Sequence, residues 1–178
     1  MTEKKIKMSE EEVAFSEIIG DLVEQWGFNR HLGRIWSLLF LRPKPLSPSE
    51  IQEGLSLSAG SVSSGLSELQ TWGVVKRIRM SGDRNFYYEP ETRIWKSVSN
   101  VLRTREIRIL EEADGGLNAL VKRLQEKGKE EHADFQVKRI KQIREAMETA
   151  HLLFSTLVNG SPLSLPKMSR LFDKFRSF

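Results

Sequence analysis

Residues 46–91 read LSPSEIQEGLSLSAGSVSSGLSELQTWGVVKRIRMSGDRNFYYEPE, and the order of signals in this stretch decides the fold. Ser47-Pro48-Ser49-Glu50 is an N-cap followed by proline at the first helical position, and it predicts a short helix ending near Gly54. Ser58 is a second N-cap candidate. Beyond it Val62, Leu66 and Leu69 fall on one helical face, and Gly73 closes the helix. The period then changes. Val74-Val75-Lys76-Arg77-Ile78-Arg79 predicts a strand, Ser81-Gly82-Asp83 a turn, and Asn85-Phe86-Tyr87-Tyr88-Glu89 a second strand that Pro90 ends. Two short helices followed by a hairpin with a basic turn spell a winged helix-turn-helix.

The second helix of such a unit fits the major groove of duplex DNA, and the hairpin reaches the flanking backbone or minor groove. Away from the apolar face, Ser58, Ser61, Ser63, Ser64 and Ser67 supply small hydroxyls that allow close approach and donate to phosphates or base edges. No Lys or Arg occurs from Ser58 to Gly73. The charge comes afterwards: residues 74–108 hold nine basic and four acidic residues, a net +5 against +4 for the whole chain. Lys76, Arg77, Arg79 and Arg84 fall on or beside the hairpin. Arg84, at its tip, is the minor-groove candidate, because narrow A·T-rich grooves attract guanidinium groups. Asp83 either fixes the turn or braces an arginine. A solvated serine-rich helix and a soluble edge strand would show the same pattern.

The rest of the chain reads as helices. Ser9 with Glu12 is a capping box opening an amphipathic helix that runs through Ile18 and Leu22 to Trp26. Another runs from about Arg30 to Leu41, stopped by Pro43. After the hairpin a helix starts near Thr92, and Gly115-Gly116 interrupt or end it. A long helix from about Glu130 to Val158 carries Ile140, Ile143, Met147, Ala150, Phe154 and Leu157 at the alternating three and four spacing of a coiled-coil seam. A last helix holds Phe172 and Phe175. The expected fold is therefore mainly α: a winged helix-turn-helix with a two-stranded wing, and terminal helices forming a dimerisation body. The expected parts are an N-terminal helix over 1–28, the winged unit over 29–91, and helices over 92–178.

Residues 32–43 and 46–91 also carry a resemblance. GRI-x-x-LL at 33–39, LS-x-x-EI, V-S-x-x-L-x-x-L-x-x-WG-x-V, and GDR-x-x-YYE at 82–89 resemble the GbsR-type branch of the MarR superfamily of prokaryotic transcription regulators. Two positions differ from the branch: Ser61 stands where asparagine is frequent, and Asn85 where a basic residue is frequent. The resemblance implies a symmetric dimer that reads a pseudo-palindromic site on double-stranded DNA, with the terminal helices of both subunits as its body. The apolar surfaces at Ile18, Leu22, Ile140, Met147, Phe154, Leu157, Phe172 and Phe175 predict the same dimer from the residues alone, although a bundle packed within one chain would show the same repeat. Some relatives of this branch are thought to sense choline or glycine betaine. Trp26, Trp36, Phe40 and Trp95 are the aromatic residues that would wall an effector pocket, since aromatic faces attract quaternary ammonium.

Other classes find little support. The chain has 178 residues and no cysteine, which removes disulfides, thiolate metal sites and cysteine catalysis, and fits a reducing cytoplasm. The N-terminus has no apolar core for a signal peptide, and no apolar run approaches about 20 residues, so no membrane span is expected. Glu148 and His151 form one Glu-x-x-His, but a di-iron bundle needs two, with further glutamates. No phosphate-binding loop or nucleophile elbow occurs. Neither an enzyme nor a cofactor or metal is expected. The competing expectation is a winged-helix module that binds protein and not DNA.

Overall fold

The computed structural model describes residues 6–126 and 132–159. Two compact units divide at Val98/Ser99. The first opens with α1, Glu10–Gln25, started by the Ser9–Glu12 capping box. Gly27 at φ +80° ends it, with the Phe28 N–H donating to the Val23 carbonyl at 3.1 Å and Gly27 N–H to Glu24 at 2.8 Å. Asn29 caps α2, Arg30–Leu41, by accepting from the His31 N–H at 2.8 Å. Ile35, Leu38 and Leu39 of α2 are the fully enclosed centre of this unit.

Helices α1 and α2 touch backbone to backbone. A Cβ at Gly33 would lie 2.7 Å from the Ile19 carbonyl oxygen and 2.9 Å from Gly20 Cα, so only glycine fits. Four ion pairs line the joint: Arg30 with Glu17, Arg30 with Asp21 at 2.9 Å, Arg34 with Glu17 at 3.0 Å, and Arg42 with Glu12 at 2.8 Å.

The stretch that opened the sequence reading folds as expected in kind. Ser47 and Glu50 form a full capping box on α3, Pro48–Leu55, with proline in its first turn. Helix α4 is Ala59–Thr71, capped by Ser58. Gly73, at φ +65°, closes α4, with its N–H donating to the Gln70 carbonyl and Val74 N–H to Leu69. Strands β1, Val75–Arg79, and β2, Phe86–Pro90, pair antiparallel, with Val75 opposite Pro90 and Arg79 opposite Phe86. Leu46 adds a one-residue bridge to Tyr88 on the other side of β2. Ile51 and Leu55 of α3, Val62, Leu66 and Leu69 of α4, and Val74, Val75 and Tyr88 of the hairpin close over α2.

Helix α3 ends at Leu55, next to Gly54 as expected. The left-handed residue is Ser56, at φ +52°, and Gly54 also lets α3 approach Leu38, whose Cδ2 would be 3.1 Å from a Cβ. Strand β2 ends at Pro90, as expected. Gly115 and Gly116 neither interrupt nor end a helix: they lie inside α6, Arg108–Glu126. The helix expected from Thr92 starts at Ile94, as α5, Ile94–Val101, within which the two units divide.

The second unit holds a π-helical segment, Leu102–Ile107, then α6 and α7, Ala133–Val158. Helices α6 and α7 run antiparallel, as their cross-links show. Arg144 grips Asp114 through two hydrogen bonds of 2.7 and 3.0 Å and reaches Asn118 at 3.1 Å. Its guanidinium holds the Asp114 carboxyl below the usual carboxylate range. His151 Nε2 lies 3.3 Å from Glu111 Oε1. These clasps flank Gly115 and Gly116, and tertiary contact of this kind overrides the roughly 1 kcal/mol that each glycine costs a helix. The expected last helix with Phe172 and Phe175 lies outside the described residues. No described helix is long and apolar enough to cross a membrane.

Candidate nucleic-acid interface

Helix α4 shows two different faces. Val62, Gly65, Leu66 and Leu69 are buried. Gly65 is required by the fit: a Cβ there would come within 2.6 Å of Ile35 Cδ1. Ser63, Ser64, Ser67 and Glu68 are exposed and Ser61 half-buried. Some of these hydroxyls are already engaged. Ser58 Oγ accepts the Ser61 N–H at 3.1 Å and lies 2.9 Å from Ser61 Oγ, while Ser64 Oγ donates to the Ser61 carbonyl at 3.2 Å. A hydroxyl has one proton and two lone pairs, so each keeps capacity for a ligand. Ser58 is thus first a helix cap, and Ser63 and Ser67 keep their hydroxyls fully available.

The hairpin carries the charge. Lys76, Arg77, Arg79 and Arg84 are all exposed. Asp83 fixes the turn and does not brace an arginine: it accepts the Asn85 N–H at 2.8 Å and the Tyr87 O–H at 2.6 Å. The Tyr87 bond holds the Asp83 carboxyl below its ordinary range and, reciprocally, pushes the Tyr87 phenol up. Gly82, at φ +83°, supplies the left-handed turn residue. At the base of the wing the Glu91 carboxylate is almost wholly enclosed. It accepts from Arg93 Nε and Nη2 at 3.0 and 3.1 Å and from Lys96 Nζ at 2.6 Å. Arg93 first, then Lys96, holds it far below the usual carboxylate range. The Glu91 N–H also donates to the Val74 carbonyl at 2.9 Å, so one residue ties both strands to the start of α5.

The first unit has seven arginines. Arg30, Arg34, Arg42 and Arg93, outside the wing, each hold a carboxylate. Among the described residues Arg77, Arg79 and Arg84 hold none. Arg77 and Arg79 instead lie over the Phe86 ring, 4.3 and 4.6 Å from its centroid. Sequence reasoning named the arginines and passed over Phe86. The signal was present, because alternate positions 77 and 79 share a face, but only the strand register puts Phe86 opposite them.

Trp36 and Phe40 stack, with centroids 4.6 Å apart and planes 18° from parallel. Trp26 and Trp95 are 59% and 56% exposed, so neither is enclosed. Ile18 and Leu22 on α1 are exposed, as is Leu157 on α7, while Ile140, Met147 and Phe154 are half-buried. Met147 lines a cleft of about 350 Å³ with Leu110, Glu111, Asp114, Glu148 and His151, so at that position the seam faces α6 of its own chain. Among the described residues no group of three or more acidic or histidine side chains could hold a metal ion.

No protein-family model matches the sequence, and no curated protein matches it significantly. A solved crystal structure described as a transcriptional regulator does match, with a TM-score of 0.65 and 19% identity, covering 84% of this chain and 96% of that one. At that identity the likeness speaks for the fold. The architecture is mainly α, with a winged helix-turn-helix and a two-stranded β wing.

Proposed function

We propose that the chain is a DNA-binding transcription regulator of the MarR/GbsR type, which reads a pseudo-palindromic operator as a homodimer in the cytoplasm. Helix α4 enters the major groove and the wing follows the neighbouring minor groove. One observation carries this reading: every arginine of the first unit outside the wing is neutralised by a carboxylate, and among the described residues the three on the wing have none. Guanidinium groups with no carboxylate partner among the described residues, beside a helix of small hydroxyls, match a phosphate backbone. The resemblance of residues 82–89 to the GDR-x-x-YYE wing and the regulator-like structural neighbour support the same reading. For the dimer, α1 presents Val13, Ile18, Leu22 and Trp26, all more than 40% exposed, which is apolar surface that a second subunit would cover.

The test is binding of the purified protein to duplex selected from a random library, followed by anisotropy across about 50 to 200 mM salt. Each phosphate contact adds about −0.9 to the slope of log affinity against log salt, so affinity should fall steeply. Absence of duplex binding, or an affinity indifferent to salt, would leave the protein-binding module as the better reading.

A further inference from the structure

We propose that Phe86 is a positioning residue that holds the guanidinium groups of Arg77 and Arg79 as a paired clamp for the phosphate backbone of duplex DNA, distinct from the tip contact of Arg84. This rests on the DNA-binding reading above and adds a site to it.

The geometry begins with the register. Arg79 stands opposite Phe86 and Arg77 opposite Tyr88, so the alternation of strand side chains puts Arg77, Arg79 and Phe86 on one face of the hairpin. Both guanidinium carbons lie within 4.6 Å of the same ring centroid. A guanidinium held by the ring's negative face keeps its N–H donors, which lie in its own plane, available to an oxyanion. Two arginines on an exposed hairpin would otherwise sample many rotamers. Placing them before DNA arrives reduces the entropy lost on contact. Among the described residues neither has a carboxylate to release first. Lys76 lies on the opposite face, away from the ring, with Glu89 across from it in the register. The clamp therefore excludes Lys76, although sequence alone groups all of these cations together.

The experiment follows a labelled random-sequence duplex against salt with the full chain, comparing Phe86→Leu, Phe86→Trp, the double variant Arg77→Gln/Arg79→Gln, and Lys76→Gln. Removing the ring should weaken binding about tenfold and flatten the salt slope by about two phosphate contacts, as the double arginine variant does. Phe86→Leu should add little on top of that double variant, Phe86→Trp should restore the wild-type slope, and Lys76→Gln should have the same effect whether or not Phe86 is replaced. In the free protein, the Arg77 and Arg79 side-chain Nε–H resonances should show ring-current shifts that vanish in Phe86→Leu and persist in Phe86→Trp. A wild-type slope in Phe86→Leu overturns the clamp and leaves the DNA-binding reading intact. An equal loss with and without the two arginines overturns it as well, because Phe86 would then act on the wing generally. Failure of the wild-type protein to bind any duplex overturns both, even with the ring-current shifts present.

Discussion

Helix α4 and the wing adjoin in sequence and solve opposite problems. Helix α4 carries no Lys or Arg, and apart from Glu68 its outer side chains are short, some of them bonded to its own backbone. The wing carries long cationic side chains, and its aromatic and acidic residues hold the loop and those cations in place. A helix without long side chains approaches a groove closely but contributes little Coulomb attraction. A charged hairpin attracts any duplex but reads few base edges. The difference teaches that closeness and affinity are assigned to separate elements, so each can be broken without the other.

The largest effect should come from the inner face of α4. Leu66→Ala removes a side chain that is 2% exposed and leaves a cavity against α2, for a loss of about 2–5 kcal/mol in folding stability by chemical denaturation. A loss below about 1 kcal/mol would mean that α4 is held chiefly by the wing. On the outer face the opposite is expected. Ser64→Glu should lower duplex affinity at least about a hundredfold, because like charges brought together in an interface cost several kcal/mol. Its melting temperature should hardly move, since Ser64 is exposed. A Ser64→Glu protein that unfolds would reverse the assignment of the faces.

On the wing, Arg84→Ala should cost about 1–3 kcal/mol of operator binding, the scale of one good groove contact, with folding unaffected. Retained affinity would restrict the wing's contribution to the Phe86 face. The smallest effect concerns Tyr87→Phe. Asp83 has a depressed carboxyl pKa, so its contribution to wing order is fully present above the usual carboxylate range and is lost as pH falls through the lowered value. Without the Tyr87 hydroxyl, the Asp83 titration followed by carbon NMR should move up towards the ordinary range, with little change in melting temperature. An unmoved titration would assign the shift to the backbone N–H groups of Asn85 and Arg84.

Features encoded locally were legible in the sequence. The capping boxes Ser9–Glu12 and Ser47–Glu50, the caps at Asn29 and Ser58, and the glycine stops at 27 and 73 each depend on residues a turn apart. What was missed depended on distant partners. Gly54 marks the end of α3 as read, but nothing local shows that it also admits Leu38. Ser56 gives no propensity signal for a left-handed backbone, and the chain imposes it. The pair at 115 and 116 reads as a break until Arg144, some 30 positions away, clasps Asp114 and Asn118 around it. The arginines of the candidate site were legible from charge alone. Phe86 and Glu91 were not, because their roles need the register and the burial that only the folded chain supplies.

The joint between α1 and α2 has a consequence for how the first unit opens. An N-terminal helix usually frays ahead of the core. With Gly33 pressed on the backbone of Ile19 and Gly20, and ion pairs at both ends, α1 has no independent way to lift off. Its amides should exchange with solvent in step with those of α2, as one cooperative unit with a shared opening free energy.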